Sequence, residues 1–98
     1  MEPYQEISRS VAGRCVIVTG AAQGIGEACV RRLGRDGAAV ALWDMADGPG
    51  QALADALAGT GAAVTYQHCN VADKASVDAA LAATLARFGH VDGLVNNA

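Results

Sequence analysis

Hydrophobic positions along this chain follow two different periods. Cys15-Val16-Ile17-Val18 is apolar at every position, rich in β-branched residues, and closes on Thr19-Gly20. A run without polar alternation reads as a strand buried on both faces, hence one from a parallel sheet, and is placed over 14–19. Over 24–36 the period changes. Ile25, Cys29 and Leu33 recur four apart with Ala28 beside them, while Arg31, Arg32 and Arg35 fall on the opposite side. That pattern predicts a helix whose buried stripe is Ile25-Cys29-Leu33 and which Gly37 stops. A second buried strand spans 38–43 and ends at Asp44. Leu53 and Leu57 mark an alanine-rich helix over 50–58, closed by Gly59 or Gly61. Residues 62–68 read as a third strand. Asp73 is placed as the N-cap of a helix over 74–88 with Val77, Leu81, Leu85 and Phe88 as its stripe, stopped by Gly89. Gly93-Leu94-Val95 begins a fourth strand, and residues 1–12 read as a loosely held polar leader.

The order is therefore β-α-β-α-β-α-β with short connections. Successive parallel strands need crossover helices, so the fold class is α/β with a doubly wound parallel sheet. Composition narrows the function. The chain is 52% hydrophobic and 17% charged, which excludes a solvated, disordered chain. Seven Lys+Arg against ten Asp+Glu give a net charge of −3, so neither a nucleic-acid footprint nor a basic membrane-binding surface is expected. No apolar run is long enough to span a bilayer. The opening MEPYQEISRS has two acids and no apolar block, so no secretory signal is read and a cytoplasmic setting is expected. Cys15, Cys29 and Cys69 form no C-x-x-C and read as small apolar fillers. His68-Cys69 has no second pair to complete a tetrahedral site, and no metal is expected.

The candidate chemistry lies where the strands end. The first strand runs into Thr19-Gly20-Ala21-Ala22-Gln23-Gly24-Ile25-Gly26, which opens the first helix. Glycines let the backbone turn sharply and let a pyrophosphate approach without a Cβ in the way. The helix start aims N–H groups and a positive dipole end at phosphate. A glycine-rich turn is otherwise an ordinary loop; its place between a buried strand and an amphipathic helix is what favours nucleotide binding. Asp44 ends the second strand, where a carboxylate can accept ribose hydroxyls, against the plainer reading of a solvated or capping loop acid. Asn70-Val71 after the third strand can meet the polar edge and the face of an adenine, or Asn70 can simply form a turn. Asn96-Asn97-Ala98 follows the fourth strand on the same rim. Trp43 reads as packing rather than as an adenine stack, His90 as solvated, and the three arginines of the first helix as a solvated face.

Together T19-G20-x-x-x-G24-x-G26, Asp44, Asn70-Val71 and D92-x-L-V-N-N-A98 resemble the short-chain dehydrogenase/reductase family, over residues 14–98. One departure is Asn70, where many members carry Asp. The resemblance implies a Rossmann-type domain, its first β-α-β-α-β-α-β portion covering 13–98 here, within a longer enzyme of roughly 200–250 residues. It implies NAD as cofactor, with Gly20, Ala22, Gln23, Gly24, Ile25, Gly26, Asp44, Asn70, Val71, Asn97 and Ala98 around it. It also implies hydride transfer to or from a small secondary alcohol or ketone, and a homo-oligomer in the full-length protein. The family's catalytic Ser, Tyr and Lys have no counterpart among these residues: neither Tyr4 nor Tyr66 has a lysine four residues on, and Lys74 is the sole lysine. Two further readings compete with it. A non-catalytic NAD-sensing module would use the same half-fold. A methyltransferase would also place an acid after the second strand, but it leaves Asn96-Asn97 unexplained and lacks an acid before the glycines.

Overall fold

The computed structural model describes residues 11–98. Four parallel strands form one sheet: β1 (Cys15–Thr19), β2 (Ala39–Asp44), β3 (Val64–His68) and β4 (Gly93–Val95). The connecting helices are α1 (Gly24–Arg35), α2 (Asp47–Ala58) and α3 (Lys74–Phe88). The spatial order is β3-β2-β1-β4, so the chain winds outward from β1 in one direction and then crosses back to its other side. This is the doubly wound α/β arrangement of a Rossmann-type sheet, and it puts a crevice at the carboxyl ends of β1 and β4, where the winding reverses.

Alternation along each strand divides the core in two. Val16, Val18, Val40, Leu42 and Val64 face α1 and α2, packing on Val30, Leu53, Ala54 and Leu57. Ile17, Ala41 and Trp43 face the other way, toward Ala80, Val77 and Phe88 of α3. Two helices thus cover one face and a single helix covers the other. Val11, read above as part of the leader, packs against the first of these clusters. The remainder of the leader expected over residues 1–12, apart from Ala12, lies outside the described residues.

Three expectations are corrected. Ile25 is 73% exposed, and the buried face of α1 is built on Gly26 and Val30, with Cys29 and Leu33 half-buried. On α3 the inward positions are Val77, Ala80, Thr84 and Phe88, while Leu81 and Leu85 stay exposed. Close approach to the Trp43 ring selects small residues there, and Trp43 Nε1 donates to Thr84 Oγ1 at 3.1 Å. Finally, α2 begins at Asp47 rather than at 50. Pro49 falls in its first turn, where a missing N–H costs nothing, and Asp47 places a carboxylate at the positive end of the helix. The ends of α3 follow the reading: Asp73 Oδ1 accepts from the Ala75 N–H at 3.0 Å, and Gly89 closes α3 at φ 82°.

Candidate functional site

The Thr19–Gly26 turn leaves the buried end of β1 and becomes the first turn of α1. Gly20 and Gly24 hold φ of 61° and 60°, the left-handed region that a side chain disfavours. Gly26 is required for a different reason. A Cβ there would lie 2.0 Å from the Gly20 carbonyl oxygen and 2.9 Å from Asn97 Nδ2. The helix is therefore packed onto the loop it grew from and onto the end of β4. Gln23 occupies the N-cap position with no side-chain cap, so no side chain competes for the first-turn N–H groups. Ile25 lies beside them, exposed.

Asp44 is fixed from two sides. Its Oδ2 accepts from the Ala22 N–H at 2.9 Å, and its Oδ1 accepts from the Ala46 N–H at 2.9 Å. The Ala21 N–H also donates to the Trp43 carbonyl at 3.3 Å, which ties the glycine loop to β2 a second time. Each carboxylate oxygen keeps a lone pair beyond these bonds, so the group can still accept from hydroxyls.

On the other side of the loop, Thr19 is the junction. Its hydroxyl hydrogen lies between Asn96 Oδ1 at 3.1 Å and the Val95 carbonyl at 3.4 Å. The same oxygen accepts from the N–H groups of Asn97 at 2.9 Å and Ala98 at 3.2 Å. Asn97 Nδ2 then donates to the Gly20 carbonyl at 3.2 Å. One side chain thus shapes the whole Asn96-Asn97-Ala98 rim against the glycine loop, a role the sequence reading did not assign to it. A hydroxyl on the last residue of a buried strand, just before the first glycine, was the available signal.

A small cavity of about 80 Å³ opens between these pieces, lined by Gly20, Trp43, Asp44, Met45, Cys69, Asn70, Val71 and Ala98. The structure thus brings Gly20, Asp44, Asn70, Val71 and Ala98 to one hollow. Ala22 and Asn97 stand behind it through the bonds just described, Gly26 through its close approach to Gly20, and Gln23, Gly24 and Ile25 lie at the helix start. Trp43 is buried, with its indole committed to α3, in keeping with packing. Asn70 is partly used as a turn former: its Oδ1 accepts from the Ala72 N–H at 3.0 Å. Met45 was not singled out from sequence, and Cys69 was read as a small apolar filler; Met45 and Val71 are exposed apolar residues of the hollow. A larger open groove of about 800 Å³ lies between the carboxyl-terminal parts of α1 and α2 and includes none of these residues. The arginines along it are exposed, and Arg31 and Arg32 pair with Glu27 and Asp36 at 2.9 and 2.7 Å.

The hollow thus lies at the carboxyl ends of the strands, beside the point where the winding of the sheet reverses. The family described as short chain dehydrogenase matches residues 14–98. The chain belongs to the short-chain dehydrogenase/reductase family. Among curated members, it is 42% identical over 88 residues to a 2,5-dichloro-2,5-cyclohexadiene-1,4-diol dehydrogenase of Sphingobium indicum, covering 90% of this chain and 34% of that one. It is 39% identical over 98 residues to (+)-borneol dehydrogenase 1 of Salvia officinalis, covering 100% and 36%. A D-threitol dehydrogenase of Mycolicibacterium smegmatis is 44% identical over 86 residues, covering 88% and 33%. The chain therefore spans about a third of the length of these short-chain dehydrogenase relatives. Among solved structures, a short chain dehydrogenase/reductase from Burkholderia phymatum in complex with NAD superposes with a TM-score of 0.83 at 31% identity, covering 86% of this chain and 30% of that one.

Proposed function

We propose that this chain is the NAD-binding part of an oxidoreductase acting on a small secondary alcohol or ketone. The observation that carries the reading is the Asp44 carboxylate. It is held by the Ala22 N–H of the glycine loop and by the Ala46 N–H, at the mouth of the hollow beside Gly20. A carboxylate so placed suits a free ribose 2′-hydroxyl and repels a 2′-phosphate, and neither Met45 nor Gln23 offers a cation to offset that.

The residues present fit such a group. Gly26 leaves open space where a Cβ would collide with backbone, Gly20 holds a left-handed turn close to Asn97 and Ala98, and the uncapped start of α1 offers donors to a pyrophosphate. In this reading Gly20, Ala22, Gln23, Gly24, Ile25 and Gly26 hold the phosphates, Asp44 the adenosine ribose, and Asn70 and Val71 the adenine. Asn97 and Ala98 form the wall toward the nicotinamide. The bound nicotinamide supplies hydride transfer. This chain's own residues bind, orient and exclude water; the family's proton-moving Tyr and Lys have no counterpart among them. The naming of the Burkholderia phymatum structure as an NAD complex and of the curated relatives as dehydrogenases supports the same reading.

Titration with NAD and NADP tests it, with Trp43, the sole tryptophan, as the fluorescent reporter. NAD is expected to bind more tightly. Asp44→Ala is expected to weaken NAD and narrow the gap, because the repulsion leaves with the carboxylate. Tighter binding of NADP by the parent protein would overturn the reading.

A further inference from the structure

Tyr66 lies outside the ribose site but bonds to the residue that makes it. Its ring covers Gly50 in the first turns of α2 so closely that a Cβ on Gly50 would sit 2.2 Å from Cε1. From there its hydroxyl reaches back across the strand pair. Tyr66 Oη lies 2.6 Å from the Asp44 main-chain carbonyl and 2.6 Å from Asp47 Oδ1. A phenol carries one hydrogen, so the two acceptors share it. Asp47 Oδ1 also lies 2.8 Å from His68 Nδ1, so Asp47 has a second partner and does not depend on the phenol alone. The Asp44 carbonyl also accepts from the Cys69 N–H at 3.0 Å. Both of its acceptor directions are thus taken by groups from β3 and its exit.

Asp44 is consequently clamped at its main chain by β3 while its carboxylate is aimed by the Ala22 and Ala46 N–H groups. The carbonyl and carboxylate belong to one residue at the end of β2, where the chain leaves the sheet. We infer that Tyr66 is a positioning residue for cofactor selection: through its hydroxyl it fixes the direction of the Asp44 carboxylate toward the adenosine ribose, and so sets the preference for a 2′-hydroxyl over a 2′-phosphate. This rests on the assignment of Asp44 to the ribose.

A double-mutant cycle in the full chain tests the inference, using NAD and NADP themselves as probes. Tyr66→Phe keeps the ring over Gly50 and removes only the hydroxyl. It is expected to weaken NAD about five- to tenfold, the loss of one hydrogen bond, and to weaken NADP less. In an Asp44→Ala background the same change is expected to have no further effect, because its route to the cofactor is gone. Without cofactor, amide hydrogen exchange at Ala22 and Ala46 is expected to quicken in Tyr66→Phe while distant β1 amides keep their rates. Unchanged NAD affinity in Tyr66→Phe, an equal loss in both backgrounds, or unchanged exchange at Ala22 and Ala46 would each overturn the inference while leaving Asp44 as the ribose ligand. Asp44→Ala binding NAD as tightly as the parent would overturn the ribose assignment itself, and this inference with it.

Discussion

Gly24 and Gly26 are two residues apart and respond to a methyl group for unrelated reasons. Around Gly24 nothing lies within 4 Å of an added Cβ, so Gly24→Ala meets only the unfavourable φ of 60°, a cost of about 1–2 kcal/mol. At Gly26 the backbone is ordinary helix, but the added carbon meets the Gly20 carbonyl at 2.0 Å. Backbone cannot rotate away as a side chain can, so α1 must move off the loop. Gly26→Ala is expected to cost more than Gly24→Ala, about 3 kcal/mol against 1–2, or a further fall in melting temperature of roughly 4–16 °C. It is also expected to abolish NAD binding. Thermal melts of the two variants rank them, and equal melting temperatures would refute the packing argument. At this scale the glycines and Asp44 were legible from the chain, because only special backbone geometry or a strand-end charge explains such residues there. Tyr66, Met45 and Thr19 were not, because their importance arises across strands: Tyr66 meets Asp44 from a neighbouring strand, 22 residues away.

Among the elements, α3 shows what periodicity does and does not reveal. Its limits, cap and stop are local, and the sequence contains them. Which face turns inward is decided by the partner. Leucines at 81 and 85 draw the stripe toward themselves, yet the sheet presents Trp43, and the helix meets it with Ala80 and Thr84. Thr84 Oγ1 both accepts from the Trp43 indole and donates to the Ala80 carbonyl at 2.8 Å. Thr84→Val preserves shape and strands the buried indole N–H, so a loss of about 1–3 kcal/mol is expected. Denaturant melts followed by Trp43 emission measure it. Thr84→Ser, which retains the hydroxyl, is expected to recover much of the loss; a Ser variant no better than Val would show that the methyl group, not the bond, matters. The same cause misplaced Ile25 on α1, where the tight contact belongs to Gly26 and Val30.

Viewed whole, the molecule has one face with two helices and one face with a single helix, and part of its apolar exposure falls on the latter. Leu94 pairs in register with Ile17 on the α3 side and is 60% exposed, and Leu81 and Leu85 add to it on α3. β4 has only three residues and one neighbour, which leaves an open edge. Residues 1–98 expressed alone are expected to self-associate with rising concentration in sedimentation experiments, and Leu94→Glu with Leu85→Glu to reduce it; an unaltered monomer at all concentrations would contradict this. The whole fold also has a signed response to pH. Burial, and next Asp92, raise the Cys15 thiol, while burial, followed by the hydrogen bond to Asp47, raises the Tyr66 phenol. Groups raised in the folded state stabilise it fully below their unfolded values, about 8.5 and 10, and that contribution is lost as pH rises through them. Asp47 is lowered, first by the Tyr66 hydrogen bond and then by that of His68. Its contribution holds above about pH 4 and fades below. Melting temperature against pH is expected to fall on both sides, and Tyr66→Phe to flatten the alkaline limb above about pH 10.

The bonds that join Thr19 to residues 95–98, and Cys15 to Asp92, span 76 to 79 positions of sequence. By contrast β1 pairs with β2 and β2 with β3, strands that follow one another directly in the chain. Closing so long a loop is slow, so β4 is expected to dock after a β1-β2-β3 sheet has formed. A nascent chain leaving the ribosome would carry its glycine turn early yet have no completed rim until residues 92–98 emerge. In stopped-flow refolding, Trp43 burial is expected to precede the recovery of NAD binding, and simultaneous recovery would mean that the crevice and the sheet assemble in a single event.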